Sequence, residues 1–209
     1  MVEWFAAHYW ATGVVTFFLM WSDWLLTVLQ ERERHLHYGE HYQSYPLNTI
    51  EGNPLAQSTV NKLYQSTTKA RRIAEPRHLI PALILSALVA YALVWIPQWG
   101  AQDVCVVLIG YVWGLYLIVD TTHLGNLLGY KAGRHGLHGK LYLHQRTGYL
   151  MQMGRYLALA VFLIVLAVCS ASLFIVGVAI AGISSGLRQL VFMRRIPAID
   201  ETDKPPTAI

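Results

Sequence analysis

The sequence predicts an all-α fold: a polytopic transmembrane helix bundle of about five spans, with the N-terminus outside and the C-terminus cytoplasmic. Hydrophobic residues make up 55% of the 209 residues and charged residues only 13%. Soluble domains carry about 45–50% apolar and about 25% charged residues. The apolar residues are also gathered into long runs, as membrane helices require. These observations exclude an ordinary soluble domain, a disordered chain and a disulfide-stabilised miniprotein.

The predicted spans follow the apolar runs and form one bundle over residues 1–196. A membrane helix needs about 20 mostly apolar residues, which places the spans at about 4–29, 79–96, 104–128, 150–169 and 173–190. The last two share one apolar run, Leu150 to Leu190, which as a single helix has about twice the length of a bilayer core. We therefore predict a turn at Ser170-Ala171-Ser172. One long helix that leaves the membrane is the alternative.

The distribution of basic residues predicts the orientation. All 16 Lys and Arg fall into three groups, seven from Arg32 to Arg77, five from Lys131 to Arg155 and four from Arg188 onward. With five spans, all three groups lie on one side of the membrane. Short loops rich in Lys and Arg stay cytoplasmic, so the N-terminus is expected outside. We expect the bacterial inner membrane as the location.

The segments outside the spans are predicted to lie at the cytoplasmic face. Residues 30–78 form the largest of them, and their stretch 54–73 has a modest amphipathic pattern that begins with an Asn-Pro helix start. We expect an interfacial helix there, with its basic end at anionic lipid headgroups. A solvated helix is the alternative. The tail 197–209 is predicted to be disordered. The preference of Lys and Arg for cytoplasmic loops explains the net charge of +4, so we expect no nucleic acid partner.

Ionisable side chains within two spans are the first candidates for a functional site. Such a residue costs about 2.5–3.5 kcal/mol on insertion scales, so it is seldom present without a role. Asp23 lies near the inner end of the first span, and Asp120 and His123 near the inner end of the third. Because both spans run from outside to inside, the three groups are expected at one depth. Thr27 follows Asp23 by one turn, and Asn126 follows His123 on the same face.

A short motif adds two residues to this group. Asp23-x3-Thr27, followed by a Gly-containing turn and Glu51-x-Asn53-Pro54, resembles a pattern in small multi-pass prokaryotic membrane proteins of unknown function. The resemblance covers residues 23–54, and the turn in those proteins is shorter than here. It implies no known activity, but it implies that Asp23, Thr27, Glu51 and Asn53 act together.

This combination of side chains predicts a cation site. Carboxylate and imidazole ligands suit a divalent transition metal, and carboxylate with amide oxygens suits Ca²⁺ or Mg²⁺. The predicted ligands of a divalent metal ion, whose identity is left open, are Asp23, Glu51, Asn53, Asp120 and His123. The same groups would also serve a proton or cation path. The alternative is that the acids pair with His123 or basic residues and only fix helix packing.

Histidines supply most of the secondary candidates. Nine His residues are present, and two clusters, His-x-His-x3-His and His-x2-His with a further His beyond, fall on the inner side. Their pattern is loosely similar to membrane-bound di-iron hydroxylases and desaturases, without the paired His-His dipeptides; hydrogen bonding to lipid headgroups is the alternative. The secondary candidates are Thr27, Asn126, His35, His37, His41, His135, His138 and His144.

Small residues at four-residue spacing predict close helix contacts. Gly110-x3-Gly114, Gly125-x3-Gly129 and Gly182-x3-Gly186 are motifs of this kind. Five helices present more such faces than one bundle needs, so we expect a homo-oligomer or a partner membrane subunit. Intramolecular packing alone is the alternative.

Three functions remain open on the sequence. The first is a cation-handling channel or transporter subunit with its site at the cytoplasmic leaflet. The second is a metal-dependent membrane enzyme that acts on a lipid or quinone. The third is a non-catalytic accessory subunit of a larger membrane complex.

Overall fold

The structure is a computed structural model, and it describes residues 2–38, 60, 62, 67–92, 100–133 and 145–195. Within these ranges the regular elements are all helical, as the composition predicts. They are α1 (Val2–Ala7), α2 (Tyr9–Glu33) with a π-helical continuation (Arg34–Tyr38), α3 (Thr67–Ala90), α4 (Ala101–Gly133), α5 (Gln145–Ser170) and α6 (Leu173–Arg194).

Four of these helices are long and apolar enough to cross a membrane. Their candidate spans are Tyr9–Leu36, Gln102–Lys131, Arg146–Ser170 and Leu173–Arg194. The apolar part of α3 that the structure describes, Leu79–Ala90, is shorter. The membrane assignment therefore stands on four helices, and the fifth span, at residues 79–96, stays a prediction together with the orientation.

Two predicted boundaries differ from the structure. The first span is not continuous, because the α-helix is interrupted at His8, whose Nδ1–H donates a hydrogen bond to the Trp4 carbonyl oxygen at 2.9 Å. The predicted interfacial helix 54–73 does not end at residue 73, since residues 67–73 belong to α3. No Gly or Asn stands between residues 67 and 90 to cap a helix there. The other residues of that stretch lie outside the described ranges, apart from Val60 and Lys62.

The apolar run 150–190 forms two helices joined by a tight turn. α5 ends at Ser170, and α6 begins at Leu173 with Ser172 as its N-cap. The Ser172 hydroxyl accepts a hydrogen bond from the backbone N–H of Ile175 at 3.4 Å, which satisfies one of the free donors of the first turn. Ala171 completes the reversal with a positive φ of 48°. The turn therefore forms without Gly or Pro, with a serine cap and one residue of positive φ.

The helices pack side by side in the order α3, α2, α4, α6 and α5. α2 and α4 are parallel, because their contacts advance along both helices: Thr16 with Trp113, then Ser22 with Asp120, then Thr27 with His123. α3 runs the other way. Its Ser86 donates to the Tyr9 carbonyl, whereas the Ala82 carbonyl, one turn earlier in α3, lies 3.0 Å from a Cβ added at Gly13.

Glycines set the close contact between α4 and α6. A Cβ added at Gly110 would overlap the Phe174 carbonyl, and one at Gly177 would overlap the Val107 carbonyl, so the two backbones touch here. Gly114 lies beside Val178, so these helices are also parallel. On the other side of α6, Gly182 packs on Ala160 and Gly186 on Leu157 of α5, which makes that pair antiparallel. Two of the three predicted small-residue motifs therefore serve packing within the chain.

The outward faces of the helices are strongly apolar. On α5, Val161 and Phe162 are each 63% exposed and Val168 is 77% exposed. A soluble protein rarely leaves such a contiguous face in water, whereas lipid tails cover it at no cost. The polar side chains of α2 point the other way, into the protein.

Candidate functional site

The buried face of α2 is polar along most of its length. Thr12, Thr16, Thr27, Gln30 and Glu31 are all buried, with exposures of 2% or less. In a membrane helix such side chains turn toward a neighbouring helix, because lipid offers them no hydrogen-bond partner. The neighbours are α3 and α4, and the contacts with α4 build the site.

In the N-terminal half of α2, a hydrogen bond fixes how α2 and α4 face each other. Trp113 Nε1 donates to Thr16 Oγ1 at 2.9 Å, and the Thr16 hydroxyl donates to the Thr12 carbonyl oxygen at 2.7 Å. The Trp113 ring also packs on Phe5 and Phe174. This contact sets the rotation of α4, which brings its acid and histidine toward α2 two to three turns further along.

The predicted acids and histidine do meet across these two helices. Ser22 Oγ donates a hydrogen bond to Asp120 Oδ2. One turn further, His123 Nε2 lies 3.4 Å from Asp23 Oδ1 and 3.3 Å from Thr27 Oγ1. We call Ser22, Asp23, Thr27, Asp120 and His123 the α2–α4 site. The expectation that Asp23, Asp120 and His123 share one depth therefore agrees with the geometry.

Hydrogen-bond accounting fixes the proton on His123. The Thr27 hydroxyl has one proton, and it donates that proton to the Asp23 carbonyl oxygen at 2.9 Å. Its oxygen can then only accept at the contact with His123, so Nε2 must carry a hydrogen. That N–H is shared between Thr27 Oγ1 and the Asp23 carboxylate. In the neutral ring, Nδ1 consequently keeps its lone pair.

Two atoms of the α2–α4 site have no hydrogen-bond partner among the described residues. They are Asp120 Oδ1 and His123 Nδ1, and both are buried. An unpaired buried acceptor costs about 1–3 kcal/mol, so it usually has a partner in the working protein. The two residues are three positions apart on α4, and hence on one face. A proton or a small cation is the species that both atoms attract.

The electrostatics of the site favour the same species. Two carboxylates lie in a helix interface, and the imidazole neutralises one of them only when it is protonated. The side chains of His123 and Asp23 are 17% and 30% exposed, so this part of the interface is only partly covered by protein. Unbalanced negative charge in a low-dielectric environment is costly, and binding a cation relieves that cost. The contact between Asp23 and His123 also holds the helices together, which is the packing role that the sequence left open.

The remaining predicted site residues do not join this cluster in the described structure. Asn126 is half-buried on α4, beyond His123. His35 Nε2 lies 3.0 Å from Glu31 Oε1 at the end of α2. The other candidates, Glu51, Asn53, His41, His135, His138 and His144, lie outside the described residues, and only the backbone of His37 is described. Among the described residues, no group of three or more His, Cys, Asp and Glu is placed to hold a metal ion.

The sequence reasoning missed several members of the interface. Ser22 stands beside Asp23 in the sequence, but a serine within a membrane helix usually bonds to its own backbone, so it gives little signal. Glu31 belongs to the segment 30–78, which the sequence predicts to lie at the cytoplasmic face outside the spans, yet its side chain is fully buried. The usable signal was its spacing from Arg34 and His35, which supply partners at i+3 and i+4.

No protein-family model, curated protein or solved structure matches this chain. The resemblance of residues 23–54 to small multi-pass prokaryotic membrane proteins therefore stays a prediction.

Proposed function

We propose that this chain is a cation-handling membrane protein, a subunit of a channel or transporter. Asp23, Asp120 and His123 form its intramembrane binding site. The observation that carries the proposal is the pair of buried, unpaired atoms, Asp120 Oδ1 and His123 Nδ1, one turn apart on α4. Carboxylate and imidazole atoms both bind protons and cations, and these two lie on one face of α4.

The geometry supports a small cation over a larger ligand. The partners on α2, Ser22 and Thr27, contact Asp120 and His123 directly. Because both free atoms are buried, a proton or a single ion suits them better than a larger molecule. We propose a divalent metal ion or a proton as the bound species, with Glu51 and Asn53 near the mouth of the site.

The topological part of the proposal follows the charge distribution. We propose that the N-terminus is outside, the C-terminus is cytoplasmic and the membrane is a bacterial inner membrane. The parallel direction of α2, α4 and α6, with α3 and α5 connecting them, is the arrangement that an alternating five-span chain produces. At Gly125 of α4 no atom of the described residues lies within 4 Å of an added Cβ, which is compatible with the proposed homo-oligomer or partner subunit.

Binding and flux measured on one pair of variants test the proposal. Asp120→Asn keeps an oxygen that can accept from Ser22 but removes the charge. Asp103→Asn makes the same change at an exposed acid in the first turn of the same helix. Protein in lipid nanodiscs is titrated with Mn²⁺, and proteoliposomes are assayed for Mn²⁺ and proton flux.

We expect Asp120→Asn to lower binding or flux at least about tenfold, because it removes a charge from the membrane interior. Asp103→Asn should behave like the wild-type protein. If the wild-type protein neither binds Mn²⁺ nor passes either ion, or if Asp120→Asn changes nothing, the proposal is wrong. Elemental analysis of the purified protein is a separate check, since stoichiometric iron or zinc would favour the metal-dependent enzyme.

A further inference from the structure

A row of polar side chains continues from the α2–α4 site to the end of α2. Asp23, Thr27, Glu31 and His35 are spaced four residues apart, so successive members lie one above the other on a single helix face. We call these four residues the α2 row. At about 1.5 Å per residue the row covers about 18 Å, more than half the thickness of a bilayer core.

Contacts link the two ends of the row. At one end the Thr27 hydroxyl donates to the Asp23 carbonyl, and both residues contact His123. At the other end Glu31 Oε1 accepts from Arg34 at 2.6 Å and lies 3.0 Å from His35 Nε2. The Glu31 side chain is fully buried, whereas the side chain of His35 is 33% exposed. The row therefore leads from the helix interface to the protein surface at the C-terminal end of α2.

A further unpaired acceptor lies at the level between Thr27 and Glu31. The Cβ atoms of these two residues are about 5–6 Å apart, a spacing that one bridging water suits. Gln30 lies at this level and is fully buried; its Nε2 donates to the Leu26 carbonyl, but its Oε1 has no partner among the described residues. A water molecule in the gap would supply the donor that this oxygen needs.

Resting on the proposed function, we infer that the cation is a proton and that the α2 row is its route between the α2–α4 site and the end of α2. A metal ion that moved along this face would have to displace the Arg34 guanidinium from Glu31. A proton passes such a pair without displacing it, because it travels from atom to atom. Carboxylate, hydroxyl and imidazole groups all accept and release protons in place.

Each step of the route conserves the proton. A protonated Asp23 carboxyl gives its proton to the Thr27 oxygen as the Thr27 hydroxyl passes its own proton to the bridging water, so Thr27 stays neutral. The water gives one of its protons to the Glu31 carboxylate, forming a neutral carboxyl group. The Glu31 O–H bond then breaks as the Nε2–H bond of a neutral His35 forms, and the cationic ring releases its proton to solvent. Glu31 and His35 return to their starting states, and reversed steps carry a proton inward.

Two neighbouring glutamates provide a matched pair of variants for a test in proteoliposomes. A potassium diffusion potential drives the proton flux, and a trapped pH-sensitive dye measures it. Glu31→Gln removes the proton-accepting group on the row. Glu33→Gln makes the same change at a side chain that is also buried, 9% exposed, but off the row. We expect the first variant to slow proton flux at least about tenfold and the second to leave it near the wild-type rate.

A replacement variant and three further results separate failure of the α2 row from failure of the proposed function. If Glu31→Gln does not fold, as judged by thermal melting and gel filtration, His35→Gln at the exposed end replaces it with the same expected loss. If Glu31→Gln, or His35→Gln in its place, passes protons at the wild-type rate while Asp120→Asn is inactive, the α2 row is not the proton route. The proposed function then remains in place. If the wild-type protein passes Mn²⁺ but not protons, the cation is not a proton and this inference is wrong. Absence of both fluxes and of Mn²⁺ binding overturns the proposed function itself.

Discussion

The Ser22 hydroxyl of α2 donates a hydrogen bond to Asp120 of α4, which joins two membrane helices through residues 98 positions apart in the sequence. The same hydroxyl oxygen lies 2.9 Å from the Leu19 carbonyl of its own helix. Ser22 therefore has an alternative acceptor, whereas Asp120 has no other hydrogen-bond partner among the described side chains. The bond matters more to the carboxylate than to the serine.

Ser22→Ala should destabilise the protein because it leaves Asp120 without its donor. The expected loss in the free energy of unfolding is about 1–3 kcal/mol, the cost of an unsatisfied buried polar group. Ser170→Ala is the control, since that exposed hydroxyl only donates to the Leu166 carbonyl of its own helix. Reversible unfolding in mixed detergent micelles measures both. Equal effects of the two substitutions would contradict the role assigned to the Ser22–Asp120 bond.

Trp113→Phe tests the second contact between α2 and α4. Phenylalanine retains most of the ring packing with Phe5 and Phe174 but lacks the N–H that binds Thr16. We expect a loss of about 1 kcal/mol from the hydrogen bond, in addition to any loss of packing. A double-mutant cycle with Thr16→Val isolates the bond. Strictly additive single and double variants would mean that the Trp113–Thr16 bond contributes no stability.

The membrane helices and the depth of the site could be predicted from the sequence because the bilayer imposes both. Apolar length defines a span, and Asp23, Asp120 and His123 fall near the same ends of two spans that run in the same direction. Parallel spans bring such residues to one level. The rotation of each helix about its axis then decides whether they meet, and that rotation depends on contacts such as Trp113 with Thr16.

The burial of Glu31 could not be predicted in the same way. Alternating charges at Glu31, Arg32, Glu33 and Arg34 are typical of a solvated helix face. Tertiary packing at the end of α2 overrides this pattern. The continuity of α3 was missed because the apolar run begins only at Leu79, while the helix itself begins at Thr67. Hydropathy locates the part of a helix that suits lipid and is silent on how far the helix extends in water.

Gly177→Ala should weaken the packing of α4 against α6. Its added Cβ would overlap the Val107 carbonyl, which is backbone and cannot move without separating the helices. Overpacking of this kind costs about 1–3 kcal/mol. Gly125→Ala is the control, because no atom lies within 4 Å of its Cβ, and it should stabilise the monomer by up to about 1 kcal/mol through helix propensity. If Gly125→Ala instead weakens the association of purified subunits, its face is an interface of the proposed oligomer.

Ala171→Gly should stabilise the turn between α5 and α6. Ala171 has a φ of 48°, in the left-handed region where a Cβ costs about 1 kcal/mol and glycine is unstrained. Part of that gain is lost because glycine makes the unfolded chain more flexible. The same substitution at Ala158, exposed within α5, should lower stability by about 0.5–1 kcal/mol, since it has only the cost of glycine in a helix. Thermal melting of the two variants is the measurement. We expect the melting temperature to rise for Ala171→Gly and to fall for Ala158→Gly. A loss of stability at Ala171 comparable to that at Ala158 would show that this backbone conformation carries no strain.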